Sequence, residues 1–292
     1  MKYKKKLYGK RFIIPAFVLY TILFVIPSVA GMVISLTDWN VAKPDIHFIG
    51  LQNFVDIFTS KGGQYLGSII HTLEFTFVTV IFKTVLGLGL ALLLFKGLRS
   101  QNVFRTIFFT PYALAPVIIG ISFISVLKPE GPFNAVLEAV GLGALTHSWL
   151  SDPNTALGST MAVEIWRMAG WNMMILLAGM QMIPEEYYEA SSIDGATKWK
   201  QFWKITLPFL RPSLMTVIVL NTIHGLRTFD IVFALTGGGP GGLTELINTQ
   251  VFKEFGMGRY GMANALNVVI FVVTVVIAVI MQRLLTGKEN NE

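Results

Sequence analysis

Six stretches of about 20 apolar residues, separated by polar connections, constrain this chain more than any other feature. Wound as a helix, a run of that length matches the roughly 30 Å hydrocarbon thickness of a bilayer. Inside a bilayer no water satisfies an unpaired backbone group, so a spanning segment of this kind must be helical. The runs are Phe12–Leu36, Thr72–Phe95, Phe104–Leu127, Ala156–Met180, Leu207–Leu226 and Ala263–Leu285. The 292 residues are 53% hydrophobic and only 14% charged, with mean hydropathy +0.61. Soluble domains carry about 25% charged residues, and a soluble core of this length could not hide so much apolar surface. The expected fold class is therefore an all-α membrane protein with six transmembrane helices. The first run follows a basic flank, as in a signal peptide. Its 25 residues exceed the roughly 7–15 of a signal-peptide apolar region, which predicts an uncleaved anchor.

The basic residues set the direction. With the N-terminus inside, Lys2, Lys4, Lys5, Lys6, Lys10, Arg11, Lys96, Arg99, Arg105, Lys198, Lys200, Lys204, Arg211, Arg283 and Lys288 flank the cytoplasmic ends. These 15 stand against six outside: Lys43, Lys61, Lys128, Arg227, Lys253 and Arg259. The bias predicts both termini in the cytoplasm and explains the net charge of +6 without nucleic acid. Three outer connections of about 35, 28 and 36 residues follow. They carry Asp38-Trp39-Asn40, Pro129-Glu130-Gly131-Pro132 and Gly237-Gly238-Gly239-Pro240-Gly241-Gly242. Loops of that length suit a lid or a docking rim. No internal repeat is evident, which argues against an inverted-repeat secondary transporter.

Several chemistries are poorly served. There is no cysteine, and His47, His71, His147 and His224 show no metal-ligand spacing. No metal site or cofactor is expected in this chain. No Gly-x4-Gly-Lys-Ser/Thr loop exists to cradle phosphates, and the 237–242 glycine run has no lysine after it. That run reads as a tight turn or a flexible rim. No paired carboxylates or nucleophile–base arrangement points to an enzyme. If ATP drives transport, the ATPase and its ATP-Mg belong to another chain.

One charged island interrupts the apolar pattern, between the fourth and fifth runs. Pro184 ends the fourth run, and Glu185–Asp194 reads as a short helix, with Glu185, Glu186 and Glu189 suited to its positive N-terminal end. Ala190, Ser191 and Ser192 keep one side thin, and Gly195 suits the left-handed position after a helix. Thr197–Ile205 reads as a second short stretch, with interfacial Trp199, Phe202 and Trp203, before Leu207-Pro208 opens the fifth run. The residues alone leave two readings: an amphipathic connector on the headgroups, or a docking surface for a soluble partner.

The spacing Glu189-Ala190-Ser191, Gly195, Ile205, Leu207-Pro208 resembles the EAA loop of permease subunits from binding-protein-dependent ABC importers. Ser191 stands where the pattern has a second alanine. The run Ile193-Asp194-Gly195-Ala196 resembles the carbohydrate branch of that family. So do Leu235-Thr236-Gly237-Gly238-Gly239-Pro240 after Phe229-Asp230, and Tyr260-Gly261-Met262-Ala263. The resemblance covers nearly the whole chain. It implies a type I importer permease (MetI-like) fold: a first helix and outer loop over 1–66, a five-helix permease domain over 67–286, and coupling helices at 184–206. It implies a second homologous permease, two ATPase subunits and an extracellular solute-binding protein, in a bacterial or archaeal cytoplasmic membrane. It also implies that Glu189, Ala190, Ser191, Asp194, Gly195, Ile205, Leu207 and Pro208 couple the chain to the ATPase, while a carbohydrate, expected to be an oligosaccharide, is moved.

Polar groups at bilayer depth are costly and mark helix contacts or a substrate path. Glu164, Arg167 and Trp171 share a helical stripe, with Asn172 beside it. Asn221, His224 and Thr228 form another, and Asn264, Asn267, Phe271 and Thr274 a third. These amides, charges and rings suit a sugar with hydroxyls and an apolar face. They equally suit helix packing, with Glu164 paired to Arg167. Glu74 and Lys83 fall on opposite faces of the second run, so each needs a partner elsewhere. Pro111 and Pro116 predict a kink in the third. An ion-driven transporter or channel would use the same charges as a proton path, but leaves the island without a purpose. A structural assembly subunit leaves the polar stripes unexplained. Glycerol-3-phosphate would require convergent cations, for which only Arg167, Lys83 and Arg227 are at hand.

Overall fold

The computed structural model describes residues 13–43, 45–59, 63–95 and 100–286, with side chains of the last helix as far as Arg283. The basic flank from Lys2 to Arg11, together with Phe12, Lys61, Lys96, Arg99 and Lys288, lies outside the described residues. Among the described residues the regular structure is helical, apart from one isolated antiparallel bridge between Thr37 and Phe48. In chain order the helices are α1 (Ile14–Ile34), α2 (Gln52–Thr59), α3 (Gln64–Phe95) and α4 (Gln101–Ala113). Then come α5 (Pro116–Leu127), α6 (Pro132–Ala139), α7 (Ala156–Gln181) and α8 (Glu185–Ile193). The last four are α9 (Lys198–Leu226), α10 (Asp230–Thr236), α11 (Ile247–Gly256) and α12 (Tyr260–Thr286).

Among the described residues four single helices are long and apolar enough to cross a membrane: α1, α3, α9 and α12. The pair α4 and α5 makes a fifth span if taken together, although the two are bent 95° apart. The remaining expected span is α7. At 26 residues it is about 39 Å long, more than a bilayer core requires. It falls outside the apolar set because it carries the charges, and sixteen of its 26 residues are buried in the protein rather than offered to lipid.

The bend has a local cause. A residue before proline is pushed out of helical geometry by the proline ring, and Ala115, before Pro116, is extended at ψ 133°. Leu114 is extended as well, and Pro116 then starts α5. Pro111 lies inside α4 without ending it. The predicted kink is thus a full break at 114–115, and Pro116 makes it.

The island departs from expectation in one respect. Thr197–Ile205 is not a separate stretch before the fifth span, because Lys198–Leu226 runs as one helix. It contains a π turn at Phe202–Thr206, directly before Leu207-Pro208. Proline lacks an N–H and its ring crowds the carbonyl four residues back. Widening the preceding turn by one residue lets the helix pass the proline without stopping. The same device appears in α1, where a π turn at Thr21–Val25 precedes Pro27.

The chain divides into two compact units. The first comprises Met1–Lys61 and Val251–Val269. None of α1 is buried within the chain. The loop after it is pinned: Asn53 Nδ2 donates to the carbonyls of Ser35 and Thr37, each at 2.8 Å. The Gly261 N–H donates to the Trp39 carbonyl at 3.0 Å, and the Trp39 ring meets Tyr260 edge-on at 5.2 Å.

The second unit comprises Gly62–Gln250 and Ile270–Glu292. Its most extensive helix pair is α3 with α7, and α9 packs on both. Helices in lipid gain little from hydrophobic burial against one another, so they associate through close packing at small residues. A Cβ added at Gly87 of α3 would collide with Asn172 on α7, and one at Gly225 of α9 would press on Thr76 of α3. Among the described residues, two apolar clusters pack the unit. One includes Phe75, Ile119, Val163 and Val232; the other includes Ala91, Met173, Leu176 and Leu210. Along α3 and α7 a polar layer separates them.

Candidate translocation site and coupling surface

The polar layer centres on Glu164 of α7. Its Oε1 accepts from Lys83 Nζ of α3 at 2.9 Å. Arg167 Nε donates to Oε2 at 2.9 Å and Nη2 donates to Oε1 at 3.2 Å. His224 Nδ1 of α9 lies 3.5 Å from Oε1. Lys83 and Glu164 are wholly buried, and Arg167 is 5% exposed. An isolated charge at this depth would be prohibitive, so pairing is what makes the layer tolerable. Lys83, which needed a partner from another helix, has one in Glu164, while Glu74 on the opposite face is exposed.

About two turns along α7 from Glu164, Asn172 Nδ2 donates to the Met168 carbonyl at 2.8 Å, and its Oδ1 accepts from Asn221 Nδ2 of α9 at 2.6 Å. The Asn221 amide also reaches Thr84 Oγ1 at 3.5 Å. This amide pair ties α7 to α9 beside the ion pair. Trp171 is half-buried, and its ring centre lies 6.0 Å from that of Tyr112 on α4.

A cavity of about 420 Å³ opens at the α4–α5 break. Tyr112, Arg167, His224, Arg227 and Asp230 line it, with Pro116 at the bend. It can accept a ligand that hydrogen-bonds to a guanidinium and lies against an aromatic ring. Of the predicted path residues, the structure brings Glu164, Arg167, Trp171, Asn172, Asn221 and His224 into one neighbourhood. Asn264 and Asn267 belong to the other compact unit. There the Asn264 Nδ2 donates back to the Tyr260 carbonyl at 2.8 Å, and Asn267 is exposed.

The charged island forms the second feature. Pro184 precedes α8, whose first turn carries Glu185 and Glu186. The helix ends at Asp194, and Gly195 adopts φ +76°. The Gly195 N–H donates to the Ser192 carbonyl at 3.1 Å and the Ala196 N–H to the Ser191 carbonyl at 2.9 Å. That paired closure is the Schellman arrangement, which a left-handed residue at this position permits. Thr197 then caps α9 by accepting from the Lys200 N–H at 3.3 Å.

Gln201, which sequence reasoning did not single out, holds the two helices together. It is 3% exposed, and its Nε2 faces Ser191 Oγ at 2.9 Å, Ser192 Oγ at 2.8 Å and the Tyr188 carbonyl at 3.2 Å. Tyr188 and Thr206 hydroxyls meet at 2.9 Å. Ser191 and Ser192 are therefore turned toward α9. Glu189, Ala190 and Asp194 are exposed, as is Ile193 at 87%. Leu207 and Ile205 are half-buried, and Pro208 is exposed within α9.

A helical bundle with a polar layer beside a broken span, and a short charged helix projecting between two spans, defines a multi-pass membrane transport subunit. Residues 83–288 match the family of binding-protein-dependent transport system inner membrane components, and the chain belongs to that family. It is similar to the trehalose/maltose transport system permease protein MalF of Thermococcus litoralis, with 34% identity over 93% of this chain and 91% of that protein. It is also similar to the multiple sugar-binding transport system permease protein MsmF of Streptococcus mutans, with 31% identity over 97% of each chain. Its fold matches a bacterial alginate ABC transporter in complex with an alginate pentasaccharide-bound periplasmic protein. There the TM-score is 0.81 at 24% identity, over 93% of this chain and 91% of that one.

Proposed function

We propose that this chain is one permease half of an ATP-driven, binding-protein-dependent importer of a neutral carbohydrate, of oligosaccharide size. It pairs with a second homologous permease, two ATPase subunits and an extracellular solute-binding protein, in the cytoplasmic membrane with both termini inside. The observation that carries this reading is the island. An exposed acidic helix, α8, is fastened by buried Gln201 to the start of a spanning helix, α9. A push on α8 is therefore delivered to α9 rather than absorbed by a loose loop. The names of the relatives, one for trehalose and maltose and one for multiple sugars, support a carbohydrate.

In this reading Glu189, Ala190, Ser191, Asp194 and Gly195 form the surface and turn that meet the ATPase, and Ile205, Leu207 and Pro208 continue the motion into α9. Glu164, Arg167, Trp171, Asn172, Asn221 and His224 lie along the substrate path. The chain supplies no ATP site, and ATP-Mg is held by the partner.

Purification through a tag on this chain, in nanodiscs, tests the assembly. A second permease and two ATPase copies should accompany it, and its ATP hydrolysis should rise several-fold when a sugar-loaded binding protein is added. A chain that purifies alone, with no ATPase bound, contradicts the proposal.

A further inference from the structure

The function proposed above gives the cavity at the α4–α5 break a cargo, but leaves Lys83 without a task. Lys83 does not line that cavity. It is wholly buried and donates to the same Glu164 oxygen that Arg167 Nη2 uses. Arg167 does line the cavity. A guanidinium has five N–H donors. Two are spent on Glu164, and the other three make no hydrogen bond among the described residues. Arg167 is thus clamped along one edge and open along the other.

Arg227 and Asp230 both line the cavity and both are exposed, so their charges offset at its wall, and the buried layer of Lys83, Arg167 and Glu164 carries one net positive charge. A hydroxyl oxygen accepts from a guanidinium without bringing a counter-charge. Were Lys83 apolar, Glu164 would lose its anchor on α3 and its carboxylate would be free to turn with Arg167.

We infer that Lys83 is a positioning residue: by fixing the Glu164 carboxylate, it holds the open edge of Arg167 at the cavity as a donor to hydroxyl groups of a neutral saccharide. This rests on the carbohydrate-importer reading. Tyr112, whose ring approaches Trp171 at the cavity wall, supplies an apolar surface for the sugar ring.

The test uses the complete importer in nanodiscs, trapped with ATP and vanadate, and measures retention of ¹⁴C-labelled maltose, trehalose and maltotriose alongside trapped nucleotide. Lys83→Met should trap nucleotide as the unmodified complex does, yet retain about tenfold less saccharide. Lys83→Arg, which keeps the charge and its reach, should return retention to within about threefold. A purely structural lysine would instead lower nucleotide and saccharide together. If Lys83→Met does not assemble, Lys83→Gln, which removes the charge, keeps a shorter polar side chain and leaves Glu164 and Arg167 paired, should assemble and show a saccharide loss of more than about threefold. Unaltered saccharide retention in either variant overturns the assignment. The carbohydrate reading is checked separately in the unmodified complex: ATP-dependent uptake of the three sugars sustains it whatever Lys83 does, and its absence defeats both.

Discussion

Gln201 Nε2 donates to Ser191 Oγ at 2.9 Å, across the turn that separates α8 from the foot of α9. Gln201 is buried, and Ser192 Oγ and the Tyr188 carbonyl compete for the same amide. The contact converts an exposed surface helix into an extension of a spanning one. Gln201→Leu should leave these acceptors without their buried donor, at a cost of about 1–3 kcal/mol. The expected outcome is an assembled complex whose sugar uptake per ATP hydrolysed falls several-fold. Unchanged coupling, measured as uptake against phosphate release in proteoliposomes, would show that the fastening is not used.

Gly195 is held at φ +76°, and a Cβ there would meet nothing within 4 Å. Its constraint is the backbone and not space. Gly195→Ala should cost about 1 kcal/mol, and Gly195→Asn less, since asparagine tolerates the left-handed region. Gly195→Pro cannot adopt this φ at all. Uptake should persist in the first two and be lost in the third, while sugar binding by the separate binding protein is unaffected. Normal uptake with Gly195→Pro would sink the coupling role of the turn.

Among the described residues Glu164 is the carboxylate that Lys83 and Arg167 share. Removing it leaves two buried cations facing each other. Glu164→Ala should destabilise the chain by about 3–5 kcal/mol, read as a large drop in the thermal midpoint of the detergent-solubilised protein. The paired Lys83→Met/Glu164→Gln change should recover only part of that loss, since Arg167 stays buried without its carboxylate. A Glu164→Ala variant as heat-stable as the unaltered protein would mean that the ion pair does not hold α3 to α7.

Gly87 lets α3 lie directly on α7 at Asn172. Gly87→Leu should force the two helices apart and separate Lys83 from Glu164, one turn away. Poor membrane yield and a lowered thermal midpoint are expected, whereas Leu→Ala at the exposed Leu93 of the same helix should change neither. Equal behaviour of the two variants would contradict the close crossing.

Most of the fold was legible because a bilayer permits so few structures. The runs at 72–95, 156–180 and 207–226 each fall within an observed helix, and the break in the third span follows from Pro116 alone. What was not legible depends on long-range pairing. The depth of Lys83 marked it as needing a partner, but Glu164 lies 81 positions later, and no local pattern connects them. Helical spacing placed Asn267 on a polar stripe with Asn264, yet an angular stripe does not say what the stripe faces, and Asn267 is exposed. Leu207-Pro208 read as the start of a span because proline favours a first turn. The π turn that carries the helix through it cannot be seen in the residues. A glutamine among lysines and tryptophans carries no local sign of burial, and only the fold buries Gln201.

Transport itself is the direct measure of the account. Proteoliposomes holding this chain with its partner permease and ATPase, supplied with binding protein and ¹⁴C-labelled maltose, trehalose and maltotriose, should accumulate at least one sugar only when ATP-Mg is present on the ATPase side. The chain alone should accumulate none under a pH gradient. Uptake by the chain alone, driven by protons and indifferent to ATP, would contradict the account and turn the Lys83–Glu164–Arg167 layer into an ion path.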